Sequence, residues 1–350
     1  MLHPNVLLGN PRGGFVFAHA LPPLGTLYAT REFPLALSPK AVLVHREGEF
    51  ATNPSERPLR KCFRWTDIRT VEAAGKKIIL NGDLFWKAPT PAVAARMLAP
   101  LREIRQAKPS ERQALIEQIL RKSFDLVEIE QRWQQFAGLT AKLRLLANIL
   151  FGYLFILAPT LIWLLGFRKT WLPLLVGLFL LTALISFRFQ NAHKILFQTE
   201  EEERFTHSII LLLSPATAIR VLDVLSRPLL EAFHPLAASK VLCSERQFGV
   251  LSGNWLRAAR HVPTRETSGA HSLETETEQF WNMARQRSLE NFIEQIGLSP
   301  KQLLRPPTPA DETCLAYCPR CLAQFTIPTG TCPDCGGLAL QPFLQPNSAQ

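Results

Sequence analysis

Residues 145–187 of the 350-residue chain read LLANILFGYLFILAPTLIWLLGFRKTWLPLLVGLFLLTALISF and consist of two apolar segments separated by a short connector. No charged side chain occurs in the 22 positions of 145–166 or in the 17 positions of 171–187. Because a helix rises about 1.5 Å per residue, the two segments are roughly 33 Å and 26 Å long, against a hydrocarbon core of about 30 Å. The connector at 167–170 is short enough to require an antiparallel hairpin. The pattern predicts two transmembrane helices, with a buried hairpin of a soluble protein as the alternative.

The distribution of charge predicts how this hairpin is oriented. Of the net charge of +10, a share of +8 lies in residues 1–142. The connector between the apolar segments carries two basic residues, Arg168 and Lys169. Beside the outer ends of the segments lie Arg132, Lys142, Arg144, Arg188, Lys194 and Arg204. The positive-inside rule therefore predicts an integral protein of the plasma (inner) membrane with both termini in the cytoplasm.

The apolar segments contain few polar side chains and no Asp, Glu, His, Lys or Arg. Their polar residues are Asn148, Thr160, Thr182 and Ser186. Ion and proton pathways through membranes use ionisable groups at depth, so the composition argues against a transporter. The hairpin is predicted to be an anchor.

Residues 1–107 are predicted to form a β-rich domain that ends in a helix. Ser38-Pro39 divides two apolar runs, and Asn81-Gly82 favours a two-residue hairpin turn, because both positions of such a turn need a positive φ. From Pro91 onward apolar residues recur at helical spacing. A basic cluster in this domain is a candidate contact for anionic lipid headgroups, with a solvated face as the alternative. It comprises Arg57, Arg60, Lys61, Arg64, Arg69, Lys76 and Lys77.

The segment RWTDIRTVE at residues 64–72 lies in the middle of this domain. Its Trp65, Asp67 and Ile68 match a W-x-D-I element that commonly opens a central strand in bacterial pleckstrin-homology-like domains. Roughly residues 12–107 therefore resemble that family. The resemblance implies short strands closed by one C-terminal helix, and it does not fix a ligand, because domains of that kind differ in what they bind. Trp65 and Ile68 are alternatively ordinary core residues.

Residues 108–144 are predicted to form a helical stalk between the β-rich domain and the hairpin. Ser110 and Gln113 fit a capping box at the start of a first helix. Asp125 and Glu128 mark the start of a second helix that leads into the first apolar segment.

Residues 188–304 are predicted to form a cytoplasmic helical region. The apolar run SIILLL at 208–213 is too short to span a bilayer, and Ser214 then starts a new helix. The region is either a small helical domain or a layer at the membrane interface. Gly297 is a predicted helix stop, and a Pro-rich tether follows at 305–317.

Five of the seven cysteines fall within residues 314–335. The pattern C-P-x-C occurs twice with ten residues between, and its members are Cys318, Cys321, Cys332 and Cys335. Such turns direct four sulfur atoms at one point, so residues 318–342 resemble a zinc ribbon with one structural Zn²⁺. Four cysteine ligands imply a closed site that has no open position for water or substrate. Cys314 is a spare thiol, for which a ligand role is unnecessary.

The charge of the C-terminal segment argues against nucleic-acid binding. Residues 306–350 hold one basic residue, Arg320, against Asp311, Glu312 and Asp334. A negatively charged surface repels phosphates, so the module is expected to bind a protein instead.

These features predict a multidomain membrane protein that is not an enzyme, since no catalytic motif is recognisable. The leading hypothesis is a membrane-anchored scaffold or adaptor that faces the cytoplasm and makes protein contacts through the zinc ribbon. The alternative is a regulatory subunit of a membrane-bound enzyme complex that recruits its client through the ribbon.

Overall fold

The computed structural model describes residues 15–19, 26–30, 35–44, 61–87, 91–197, 201–226, 229, 233–261 and 272–343. The chain forms two compact units, and each is assembled from separate stretches of sequence. The first unit contains residues 1–33, 69–103 and 125–241, and the second contains 34–68, 104–124 and 242–350.

The N-terminal strands are short and antiparallel. They are β1 (Phe15–His19), β2 (Thr26–Thr30), β3 (Leu35–Leu37), β4 (Ala41–Val44), β5 (Lys61–Arg64), β6 (Val71–Ala74), β7 (Lys77–Leu80) and β8 (Asp83–Lys87). β1 pairs with β2 and β6-β7-β8 form a sheet in the first unit, whereas β3-β4-β5 form a sheet in the second. The predicted β-rich character is confirmed, and the pleckstrin-homology-like fold stays a prediction.

Two turns that the sequence predicts join neighbouring strands in these sheets. Ser38 and Pro39 lie between β3 and β4, where the Ser38 N–H donates to the carbonyl of Ala41 at 2.9 Å. Asn81 and Gly82 join β7 to β8 with φ values of 53° and 86°. The Asn81 side-chain oxygen accepts from the backbone N–H of Arg69 at 2.6 Å, which fixes the turn against the start of β6. Both turn predictions are confirmed.

Helices make up most of the rest of the chain. They are α1 (Pro91–Gln106), α2 (Arg112–Lys122), α3 (Leu126–Gly152), α4 (Ala158–Leu165), α5 (Phe167–Leu196), α6 (Glu201–Leu213), α7 (Pro215–Ile219), α8 (Val221–Ser226), α9 (Pro235–Leu242), α10 (Glu245–Arg260), α11 (Leu273–Gln295) and α12 (Pro300–Leu303).

Several helix ends follow the predicted capping signals. Asp125 caps α3 by accepting from the Glu128 N–H at 3.0 Å, and Ser214 caps α7 by accepting from the Thr217 N–H at 3.3 Å. Gly297, with φ of 81°, follows the end of α11, as predicted.

The capping box predicted at Ser110 is wrong. The N-cap of α2 is Glu111, which receives no side-chain cap bond. The N–H of Glu111 instead donates to the carbonyl of Lys108 at 2.9 Å, so Ser110 lies within a turn rather than at a helix start. A local tight turn has displaced the helix start by about one residue, which is within the usual variation of such boundaries.

The apolar segments form an antiparallel pair of helices in the first unit. A single π-helical turn at Tyr153–Leu157 joins α3 to α4 just before Pro159, whose ring nitrogen cannot donate to the helix ladder. Gly166, with φ of 82°, then separates α4 from α5. Residues 167–170, predicted to be the connector, are in fact the first turn of α5. The chain reverses at one glycine because that residue adopts a positive φ without steric cost.

One close contact fixes how the two antiparallel helices pack. The Tyr153 hydroxyl donates to the carbonyl of Leu174 at 2.5 Å. It approaches so closely because position 177 is glycine, where an added Cβ would lie 2.6 Å from the Tyr153 oxygen. The tyrosine therefore occupies the space that a side chain at 177 would need.

The core of the second unit lies between the β3-β4-β5 sheet and α11. Trp65 and Ile68 are buried, and the Trp65 indole N–H donates to the carbonyl of Ser38 at 2.8 Å. The Ser38 hydroxyl lies 3.0 Å from the hydroxyl of Thr277 on α11. These buried polar groups satisfy one another and set the position of the helix on the sheet.

The buried guanidinium of Arg257 links helices elsewhere in the second unit. It donates to the carbonyl of Leu303 at 2.8 Å, at the end of α12, and to the side-chain oxygen of Asn254 at 2.6 Å. Burial lowers the pKa of Arg257, whose charge is stabilised by these neutral oxygens.

Gly177→Ala is expected to destabilise the hairpin, because the new methyl group displaces Tyr153 and breaks its hydrogen bond to Leu174. Overpacking of this kind costs about 1–3 kcal/mol. Gly152→Ala on α3 is the matched control, since nothing lies within 4 Å of its Cβ position. Thermal unfolding of the full chain in detergent should give a lower midpoint for the first variant and an unchanged or higher one for the second. Equal midpoints would show that the Tyr153 contact does not hold the helices together.

Candidate metal centre

The four cysteines of the C-P-x-C pairs lie at and between short antiparallel strands near the C-terminus. The strands are β9 (Ala316–Tyr317), β10 (Gln324–Phe325), β11 (Thr331–Cys332), β12 (Leu338–Ala339) and β13 (Gln341–Pro342). β9 pairs with β10 and β13, and β11 pairs with β12. Cys318 and Cys321 occupy the turn between β9 and β10, while Cys332 ends β11 and Cys335 lies in the 3-10 turn that follows. Each pair of cysteines is thus held on a turn between paired strands.

The two turns have related backbone geometry. In the first, the Leu322 N–H donates to the carbonyl of Cys318 at 2.9 Å, and in the second the Gly337 N–H donates to the carbonyl of Cys332 at 3.0 Å. The residue four positions after the first cysteine of each pair has a positive φ: 62° at Leu322 and 70° at Gly336. This conformation turns the chain back so that both sulfur atoms of a pair point to the same side.

The sulfur atoms meet at a spacing suited to one ion. All four Sγ atoms lie within 4.8 Å of one another, and the Cys321 and Cys332 Sγ atoms are 3.8 Å apart. Tetrahedral Zn²⁺ with Zn–S bonds of about 2.3 Å places sulfur atoms about 3.8 Å from each other. A disulfide requires about 2.05 Å, and all seven cysteines are free thiols. The predicted ligand residues are brought together and can coordinate one metal ion.

The thiols of the cluster differ in the direction of their pKa shifts. Burial raises the pKa of the Cys318 thiol, but hydrogen bonds from the backbone N–H groups of Cys321 and Arg320 outweigh it and hold the pKa below its ordinary value. Burial raises the pKa values of Cys321 and Cys335. A cation that binds all four sulfur atoms must displace their protons, so its affinity rises with pH.

The module around the cysteines has little apolar core of its own. Its buried cluster consists of Ala316, Cys318, Cys332, Cys335 and Leu340, with Phe325 and Leu338 packed against it. Three of the five buried members are the cysteines themselves. So small a core does not stabilise a fold without a further constraint, which a metal ion would supply.

The other cysteines lie outside this group. The Cys314 N–H donates to the carbonyl of Asp311 at 3.3 Å, and its thiol is not among the clustered sulfur atoms. Burial raises the pKa values of Cys62 and Cys243 to about 11, so thiolate formation is disfavoured at both.

The predicted lipid-contact residues are divided between the two units. Arg57 and Arg60, with the side chain of Lys61, lie outside the described residues. Arg64 is exposed at the end of β5 in the second unit.

The remaining basic residues, Arg69, Lys76 and Lys77, lie in the first unit. Arg69 and Lys77 are exposed, and Lys76 Nζ forms an ion pair with Glu203 of α6 at 2.7 Å. Lipid contact by these residues stays a prediction.

Comparisons with protein-family models, with curated proteins and with solved structures find no match for this chain. Sequence reasoning found the four cysteines but missed Leu322, whose positive φ completes the first turn. The sequence did contain a signal for Leu322. It lies four residues after Cys318, just as Gly336 lies four residues after Cys332.

Cys332→Ser is expected to remove the metal from the purified full chain, because three thiolates and a hydroxyl bind Zn²⁺ much more weakly than four thiolates. Metal analysis should give one zinc per chain for the wild type and close to none for the variant. Cys314→Ser is the matched control and should retain one zinc. A zinc content that Cys332→Ser leaves unchanged would show that the four sulfur atoms do not form the site.

Gly336→Val is expected to weaken zinc binding without touching a ligand. A side chain in the left-handed region costs roughly 1–2 kcal/mol, which corresponds to about a tenfold loss of affinity. Ala339→Val, at an exposed position on β12, is the control and should bind zinc normally. Competition with a chromophoric chelator measures both affinities, and equal values would contradict the role of the positive φ.

Proposed function

We propose that the protein is a membrane-anchored scaffold or adaptor whose cytoplasmic parts carry a structural zinc ribbon for protein contact. Two helices are long and apolar enough to cross a membrane, within residues 112–165 and 167–196. The main support for the proposal is the apolar surface of these two helices, which would be exposed to water if the chain were not anchored in a membrane.

The exposure of the hairpin supports a lipid environment over a buried position in a soluble core. The side chain of Trp163 is 83% exposed, and those of Phe155 and Leu180 are each 62% exposed. Core helices of soluble proteins bury such residues, and contiguous exposed apolar surface of this kind marks contact with membrane or protein. The hairpin has no ionisable side chain between 171 and 187, so it offers no route for ions.

The flanking charges support a cytoplasmic position for both termini. Arg144 and Arg188 lie at the outer ends of the apolar segments, and the free thiols of the chain suit a reducing compartment.

The C-terminal module supports a binding role rather than a catalytic one. Four cysteines around one Zn²⁺ leave no coordination position for a substrate, so the ion would be structural. Leu315 and Ile327 are exposed apolar residues on this module, and a protein partner would bury them. The excess of acidic over basic residues in 306–350 does not suit a phosphate backbone.

Reporter fusions test the topology. If both termini are cytoplasmic, a reporter at either end should resist an external protease in intact cells and be cleaved after lysis. Protection at one end alone would indicate an odd number of spans, and cleavage of both ends in intact cells would reverse the orientation.

Affinity purification from solubilised membranes tests the adaptor role. A protein partner should co-purify with the full chain and be lost with Cys332→Ser, which unfolds the ribbon, while Cys314→Ser keeps it. A partner that is a stoichiometric enzyme would favour the regulatory-subunit alternative. A partner retained by Cys332→Ser would show that the ribbon is not the contact.

A further inference from the structure

Helix α6 runs back along α5 instead of leaving the hairpin. The Ser186 hydroxyl on α5 donates to the carbonyl of Ser208 on α6 at 2.9 Å. The rings of Phe189 and His207 have their centroids 6.3 Å apart. The contact farther along α5, at Phe189, is made by a residue earlier in α6, His207. The two helices are therefore antiparallel, and Ser208 lies level with Ser186.

This register sets the depth of α6 relative to the second apolar segment, whose cytoplasmic end is Phe187. Leu213 lies five residues beyond Ser208, and at about 1.5 Å per residue it is roughly 7.5 Å deeper along α5. The last turns of α6 are therefore level with residues of α5 that belong to the proposed membrane span. A depth of about 5–10 Å is that of helices buried at the headgroup and acyl boundary.

The face of α6 turned away from α5 is apolar over the same turns except for Thr206, which is also exposed. Phe205 is 65% and Leu213 75% exposed, and Ile209 and Ile210 are also exposed. Leu211, on the opposite face, is fully buried. No Asp, Glu, Lys or Arg occurs in the 15 positions from 205 to 219.

The chain turns back at Ser214, whose own N–H and hydroxyl are hydrogen-bonded. The Ser214 N–H donates to the carbonyl of Ile210 at 2.8 Å, and its hydroxyl accepts from the Thr217 N–H at 3.3 Å. The following helix α7 packs on α3, α5 and α6. Satisfied backbone groups allow such a turn to lie at membrane depth beside a helical hairpin.

We propose that residues 205–213 of α6 enter the cytoplasmic leaflet beside α5 and return at Ser214, so that lipid acyl chains cover the outward face of α6. This inference rests on the proposed membrane insertion of the hairpin. The short apolar run at 208–213 thereby becomes a re-entrant element rather than part of a cytoplasmic domain. Leu184 and Phe187 of α5, which lie close to Ser186 along that helix, are exposed as well. Both helices therefore present apolar side chains at this level, which favours lipid as the occupant.

Photo-crosslinking tests the depth of α6 in the full chain. p-Benzoylphenylalanine is incorporated at Leu213, or at Ile209 as a second probe position, and the protein is placed in phosphatidylcholine nanodiscs and irradiated. Mass spectrometry then identifies lipid adducts on the labelled peptide. Leu175, exposed on α5, is the positive control, and Val250, exposed on α10, is the negative control.

The inference predicts lipid adducts at Leu213, Ile209 and Leu175 and none at Val250. Adducts at Leu175 alone would overturn the re-entrant element and leave the hairpin intact. Absence of adducts at Leu175 would overturn membrane insertion itself, and this inference with it. A crosslink from Leu213 to a second copy of the chain would also overturn the inference, because protein rather than lipid would then cover α6.

Discussion

The apolar outer surface of the α3–α5 hairpin has to be shielded from water, and the proposed organisation of the protein follows from that requirement. Helices satisfy their own backbone hydrogen bonds, so they can lie in hydrocarbon where other chain conformations cannot. The hairpin interior is closed by Tyr153 against Gly177, while large side chains such as Trp163 point outward. In a lipid environment the exposure of those apolar side chains would be favourable. Insertion of the hairpin would also place α6 and the basic flanks at the membrane interface.

The sequence predicted those features that depend on short-range chemistry. Asn81-Gly82 forms its turn because few other residue pairs adopt two positive φ values, and Asp125 caps α3 because its carboxylate reaches the N–H of Glu128. The apolar segments were recognisable because length and composition suffice to define a candidate span. The C-P-x-C pairs were recognisable because their spacing already brings two sulfur atoms together, as between Cys332 and Cys335.

Features that depend on the rest of the chain were not predictable. The chain reverses direction at Gly166 and not at 167–170, because helix α5 already begins at Phe167. No local sequence signal specifies that early helix start. The division of the N-terminal strands among three sheets is a tertiary outcome, because a strand's own sequence does not specify the strand with which it pairs. Leu322 was missed because leucine is not a typical residue for a positive φ, and only the fold around the cysteines imposes it.

The accessibility of the hairpin tip shows whether the two apolar helices span a membrane. The first turn of α5 contains Arg168 and Lys169. In the proposed topology these two residues lie on the side of the membrane opposite both termini. With Lys169→Cys in intact cells, a membrane-impermeant maleimide should label the peptide that contains position 169 without permeabilisation, and mass spectrometry can distinguish it from peptides with native cysteines. Labelling at that position only after the membrane is permeabilised would contradict a membrane-spanning hairpin with both termini in the cytoplasm.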